Sequence, residues 1–144
     1  MRNLVPRHGR NGLNGNFESL MNSFFASPSS CPDDACSVPA VDVKESKDEL
    51  SMTFEMPGMD KGDIKVWIED NVLTVSGERK VEKEDNGENY LRSEIRHGSF
   101  NRSFKLPKYV DAGKVSADYT NGLLVVKIAR AEEAKPKEIE ININ

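Results

Sequence analysis

Side-chain catalysis needs a nucleophile beside a base, a working pair of carboxylates, or a metal. This chain has two histidines, His8 and His97, and two cysteines, Cys31 and Cys36. The histidines lie far apart in sequence. The cysteines fall in a Ser/Pro/Asp-rich segment outside any strand pattern, and they read as two free thiols in a flexible stretch. A zinc site needs four good ligands, and none assemble. Asp60, Asp63, Glu69 and Asp70 cluster, but at strand ends, where such a group is usually a solvated face. The spacing of GRNGLNG does not fit a phosphate-cradling loop. Asn101-Arg102-Ser103 matches a glycosylation sequon by chance, since no secretory signal accompanies it. The expectation is a protein that is not an enzyme and takes no cofactor or metal.

If the chain does no chemistry, its other residues must bind. Charged residues make up 31% of the 144, with a net charge of −4. That mixture leaves no electrostatic footprint for nucleic acid or an anionic membrane. No apolar run approaches the roughly 20 residues that span a bilayer. Arg2, Arg7 and Arg10 precede the first acid, Glu18, as in a transit peptide. The segment is Gly/Asn-rich without a clean amphipathic stripe, so a cytoplasmic location is expected.

Residues 1–37 read as an arm. Phe17, Leu20, Met21, Phe24 and Phe25 recur at three- and four-residue steps, the pattern of a short amphipathic helix. Weak tethering by Gly/Asn before it and Ser/Pro/Asp after it points to a mobile arm with a sticky face rather than a packed helix.

From Val38 the period changes to two. LSMTFEM, DIKVWIED, VLTVS, SFNRSFKL, KVSADYT and LLVVKIA alternate, punctuated by Pro57-Gly58, Asp70-Asn71, Asn86-Gly87, Pro107 and Asn121-Gly122. Short strands with regular turns and no long helix predict an all-β antiparallel sandwich. LLVVKI is apolar on both faces: Leu124, Val126 and Ile128 on one, Leu123 and Val125 on the other.

Three features break this pattern. In SFNRSFKL, alternation puts Arg102 on the face of Phe100, Phe104 and Leu106. An inward arginine must find acceptors, either by snorkelling at a sheet edge or by pairing at a subunit contact. In the charged segment GERKVEKEDNGENYLRSEIRHG, Tyr90, Leu91 and Ile95 interrupt the charge, and NYLRSEI has the makings of a short strand. Such a strand can reach a neighbour, an easy route to a symmetric dimer. Finally, EIEININ places Ile139, Ile141 and Ile143 on one face beyond the linker AEEAKPK. Pro136 interrupts any continuation of the preceding strand, so this tail reads as a strand made for another subunit.

The run PAVDVKESKDELSMTFEMPGMDKGDIKVWIEDNVLTVSGER resembles the first half of the α-crystallin domain of small heat shock proteins. GSFNRSFKLP looks like its next core strand. Ala117, Asn121, Gly122 and Leu124 match that family's A-x-x-x-N-G-x-L signature, and an I-x-I motif follows. The resemblance implies an immunoglobulin-like sandwich over 38–131, a variable arm at 1–37 and a C-terminal extension at 132–144. It implies an ATP-independent chaperone that holds unfolding client proteins in soluble homo-oligomers built on dimers. ATP-dependent refolding chaperones would act downstream. In the bacterial and plant type, a strand here around Asn89–Ile95, with Tyr90, Leu91, Arg92 and Ile95, is swapped onto the partner's sheet. Arg102 falls at the family's characteristic arginine. The I-x-I pair docks into a neighbour's groove, here near Val66, Ile68, Val115, Ala117, Leu123 and Val125. Phe17, Leu20, Met21, Phe24 and Phe25 would meet clients. Cys31 and Cys36 are not part of the family pattern. A single-domain co-chaperone or scaffold using the same sandwich is the alternative. An adhesion module is disfavoured by the missing signal peptide and inter-sheet cysteine pair.

Overall fold

The computed structural model describes residues 36–81 and 89–134. Alternation of apolar and polar side chains produces seven strands. They are β1 (Val41–Glu45), β2 (Glu49–Glu55), β3 (Ile64–Glu69), β4 (Val72–Arg79), β5 (Gly98–Lys105), β6 (Val110–Thr120) and β7 (Leu123–Arg130). The helical pieces among the described residues are two 3-10 turns, Lys61–Asp63 and Glu132–Ala134. The strands form a four-stranded sheet, β1-β2-β7-β6, and a three-stranded sheet, β3-β4-β5. Every neighbouring pair is antiparallel. The expected all-β sandwich is what forms.

The inward faces follow from register. Leu50, Met52 and Phe54 on β2 pair with Ile128, Val126 and Leu124 on β7, and all six are buried. Leu73 and Val75 on β4 and Phe104 on β5 close the core from the other sheet. Phe54 meets Phe104 edge-on across the layers, centroids 5.9 Å apart. Each such side chain contributes roughly 1.5–3 kcal/mol by leaving water. Near the β2–β3 connection the filling is sulfur. A Cβ on Gly77 would stand 2.7 Å from Met56 Cε and 2.8 Å from Met59 Sδ, so glycine there makes room for both thioethers.

The two sheets are aligned by the segment that leads into β1. Ser37 bridges to Phe100 on β5, its N–H donating to Ser99 and its carbonyl accepting from Asn101. The β1 side of one sheet therefore lies over the β5 side of the other. That leaves β6 and β3 as edges on the opposite flank. Cys36, just before this bridge, is disulfide-bonded, which corrects the expectation of a free thiol. A disulfide forms when two Cα atoms come within about 4.4–6.8 Å, and sequence spacing alone does not fix that. The chain's other cysteine, Cys31, lies outside the described residues. So do the arm residues Phe17, Leu20, Met21, Phe24 and Phe25 and the tail residues Ile139, Ile141 and Ile143.

The turns match their residues. Asp70 and Asn71 both take positive φ between β3 and β4, as a two-residue hairpin requires. Asn71 then ties this turn to Leu106, its side-chain amide donating to the Leu106 carbonyl at 2.7 Å. Between β6 and β7, Asn121 and Gly122 repeat the geometry, with Gly122 at φ 79°. A Cβ on Gly122 would lie 3.0 Å from Pro57 Cα, and the Gly122 carbonyl accepts from Met56 N–H at 2.8 Å. Backbone conformation and space both demand glycine here. Gly122→Ala should lower unfolding stability by about 1–3 kcal/mol in urea melts. Gly62→Ala, where nothing lies within 4 Å of the new methyl, should leave it nearly unchanged.

Candidate functional site

Three arginines occupy inward positions near the rim of the sandwich. Arg79 follows Leu73, Val75 and Gly77 in the alternation of β4, and Arg130 follows Leu124, Val126 and Ile128 in β7. Arg102 sits between Phe100 and Phe104 in β5. Each guanidinium lies over an aromatic ring: Arg79 on Phe100 at 4.7 Å, Arg102 on Phe104 at 4.9 Å, Arg130 on Tyr109 at 4.6 Å. Each also has a hydrogen-bond acceptor. Arg102 Nη1 donates to the Pro39 carbonyl at 2.8 Å, joining β5 to the lead-in of β1. Burial pushes its guanidinium below the ordinary value, yet arginine stays charged at any physiological pH.

Arg79 fixes the neck of the long loop between β4 and β5. Its Nε donates to the Pro57 carbonyl at 2.8 Å and its Nη1 to the Arg96 carbonyl at 2.9 Å. Lys80 adds an ion pair to Asp63 at 2.8 Å, which raises the lysine's proton affinity. Beyond this neck no strand forms over 89–97, so the short strand suggested by NYLRSEI is absent from the single chain. Tyr90, Leu91 and Ile95 face solvent there, and Leu91 is fully exposed. Arg92 pairs with Glu94 two residues on. Between loop and body lies a cavity of about 530 Å3, walled by Gly58, Arg79, Tyr90, Arg92, Ile95 and His97. The segment from 89 to 95 pairs with none of the described strands.

The edges β3 and β6 form the second candidate surface. Each is hydrogen-bonded to one neighbour only, β3 to β4 and β6 to β7. Val66 and Ile68 pair with Val75 and Leu73, so they face the interior, and they are half-buried. Val115 and Ala117 pair with Ile128 and Val126 and face the same way. Val115 is half-buried and Ala117 exposed. Ile64 and Tyr119 extend these two rows. The Tyr119 hydroxyl donates to the Met56 carbonyl at 2.7 Å, with the Met59 carbonyl at 3.0 Å. This bond shuts one end of the cleft. Leu123 and Val125 are not brought into it. Their partners are Glu55 and Thr53 on β2, and Thr120 and Asp118 on β6, so they lie on the outer face of the four-stranded sheet. The reason is register: they alternate with Leu124 and Val126, which face the core, so they belong to the opposite face of the pleat.

Sequence reasoning found Arg102 by its parity and missed Arg79 and Arg130, although the same parity marks both. It also missed Tyr109, whose ring carries the Arg130 guanidinium and whose hydroxyl is influenced by the Glu45 carboxylate. Among the described residues no three His, Cys, Asp or Glu side chains gather as a metal site. No helix among them is long and apolar enough to cross a membrane.

Residues 42–144 match the profile of the Hsp20/alpha crystallin family. The chain is 31% identical to small heat shock protein C2 of Rickettsia felis, over 92% of this chain and 86% of that one. It is 43% identical to the 17.3 kDa class II heat shock protein of Solanum peruvianum, over 71% of this chain and 68% of that one. Among solved structures, heat shock protein 16.0 of Schizosaccharomyces pombe superposes with a TM-score of 0.63 at 37% identity. That match covers 75% of this chain and 99% of that one. A small heat-shock protein of Xylella fastidiosa, described as having a distinct high order structure, gives 0.63 at 34% identity, covering 74% and 98%.

The setting of Tyr109 has a consequence in alkali. Burial, and then the hydrogen bond and charge of Glu45, push its hydroxyl up to about 12. A folded pKa above the unfolded value of about 10 means the neutral phenol stabilises the fold. That contribution is complete below pH 10 and is lost as pH rises through about 12. Thermal melts of the native chain should therefore fall more steeply across this window than those of Tyr109→Phe. Parallel curves would contradict the assignment.

Proposed function

Because the chain belongs to the Hsp20/alpha crystallin family, we propose that it acts as an ATP-independent holdase. It binds unfolding proteins in the cytoplasm under stress and keeps them from aggregating, as a dynamic homo-oligomer built on dimers. The family match over 42–144 carries this reading. The exposed Tyr90, Leu91 and Ile95 support it further, because a monomer gains nothing by holding three large apolar side chains in water.

In this reading the loop at 89–95 completes its strand on a partner's sheet, and the arrangement is reciprocal, as a two-fold interface requires. Isoleucines of the 132–144 extension insert into the β3–β6 cleft of a neighbouring subunit, against Val66, Ile68 and Val115. Arg102, already bonded within its own chain, stiffens the β5 rim that the dimer uses. Phe17, Leu20, Met21, Phe24 and Phe25 take up clients, which then pass to ATP-dependent refolding chaperones. One buried isoleucine contributes roughly 1.5–3 kcal/mol. A two-residue anchor is therefore weak alone and strong only when repeated around an assembly. Such contacts hide apolar surface at rest and release it on demand.

The direct test is heat aggregation of unrelated enzymes without ATP. Full-length protein should suppress light scattering at equimolar ratio, and a failure across several clients removes the holdase reading. Native mass spectrometry should show a large assembly; a monomer or dimer would favour an adaptor that binds one folded partner. Ile139→Ala with Ile141→Ala should shift that assembly towards dimers while the circular dichroism of the sandwich persists. Ile141 belongs to both possible I-x-I pairs, so Ile141→Ala alone should produce most of the shift.

A further inference from the structure

The last residues of β7 are held more firmly than the end of a strand requires. Arg130 N–H donates to the Asp48 carbonyl at 2.7 Å, and Ala131 N–H donates to the Tyr109 carbonyl at 2.8 Å. The Arg130 guanidinium forms an ion pair with Glu45 at the end of β1 and lies 4.6 Å over the Tyr109 ring. Both charged side chains are mostly sheltered, at 18% and 27% exposure. A sheltered pair is screened less than a surface pair. Arg130 thus joins Glu45 and the Tyr109 ring, and three segments meet at one point: the end of β1, the start of β6 and the end of β7. The 3-10 turn Glu132–Ala134 follows at once. Tyr109 packs against the edge of the core, but the charged pair lies beyond it. Ile128 is the last fully buried residue of the strand, two positions earlier.

We propose that Glu45, Tyr109 and Arg130 form a mount that fixes where and in which direction the C-terminal extension leaves the sandwich, and thereby which neighbouring cleft it can reach. The inference rests on the reading that this extension anchors the assembly. Chain reach supplies the argument. From Ala134 to Ile139 is five residues, about 17 Å fully extended. If the strand frays back to Ile128, the same isoleucine has eleven residues of free chain, about 37 Å. Reach then roughly doubles, and neighbours that were out of range come within it. Effective concentration at the intended cleft falls as about the −3/2 power of length, near threefold per tail. The mount keeps the point of departure at Ala134 and so keeps that span short. Arg130, Glu45 and Tyr109 are positioning residues: they act on the tail without touching what it binds.

The test uses the full chain. Arg130→Gln, Tyr109→Leu and the charge-exchanged pair Glu45→Arg with Arg130→Glu are compared with Ile141→Ala. Native mass spectrometry reads the distribution of assembly sizes, and mixing with isotope-labelled protein reads subunit exchange, both far below the melting temperature. Arg130→Gln and Tyr109→Leu should each broaden the size distribution and speed exchange about threefold per tail contact. The charge-exchanged pair rebuilds the ion pair but not the stacking on Tyr109, so it should narrow the distribution again in part; reading every variant far below its own melting temperature keeps loss of stability out of the comparison. Faster amide hydrogen exchange at Ala131 should accompany the loss. If Arg130→Gln does not fold, Tyr109→Leu carries the same comparison. A sharp, unchanged distribution in a folded variant, when Ile141→Ala disperses the assembly, overturns the mount and leaves the tail reading intact. An assembly unmoved by Ile141→Ala overturns the tail reading, and the mount falls with it.

Discussion

A guanidinium laid over an aromatic ring is how this sandwich finishes its rim. Two sheets of four and three strands bury their centre well, but the rows of inward side chains must end somewhere, and there the interior meets water. An apolar residue at such a place would be half wasted, and a carboxylate would be stranded. Arginine suits it, because its stem and flat face cover apolar surface while its edge donates to oxygen. Arg79, Arg102 and Arg130 all do this, over Phe100, Phe104 and Tyr109. Each stacked contact is worth about 0.5–2 kcal/mol, so no single one decides the fold. What they decide is how the segments leaving it are held. Arg102 holds the lead-in from the arm, Arg79 the neck of the long loop, and Arg130 the root of the C-terminal extension.

The three segments so held are those through which this protein is expected to meet other chains. A rigid body with positioned exits differs from a rigid body with loose ends. Loose ends bind many neighbours weakly, and positioned ends bind the right neighbour repeatedly. The β3–β6 flank complements this arrangement: it keeps apolar side chains half-buried rather than exposed, so the surface is available to an inserted strand without being openly sticky. No catalytic group is needed for any of it.

Much of the fold was legible because a period of two is hard to counterfeit. The six runs read from alternation all appear as strands, and the Asn121-Gly122 turn sits where its residues demand positive φ. Arg102 was legible for the same reason. Arg79 and Arg130 obey the same parity, but Arg79 was absorbed into the charged run that begins at GER, and Arg130 fell between LLVVKIA and the linker AEEAKPK, where a cation looks like ordinary solvent surface. Leu123 and Val125 were assigned to the cleft because LLVVKI was expected to lie beside the 114–120 strand, and only pairing register shows that they point the other way. The disulfide at Cys36 escaped because sulfur–sulfur bonding depends on separation in space. Tyr109 escaped because its importance comes from Glu45, 64 positions earlier in the chain, and nothing local announces that meeting.

The thioethers packed against Gly77 bear on a different matter, that of chemical wear. Met52 and Met56 have no solvent exposure and Met59 very little. Methionine is among the side chains most readily oxidised, and its sulfoxide is polar enough to disrupt a core. Shelter of this kind ties oxidative damage to how often the sandwich opens rather than to the reactivity of sulfur itself. The end of the core beside the Met56–Met59 turn is then where oxidation follows opening, and Met59, the more exposed of the two, meets oxidant first.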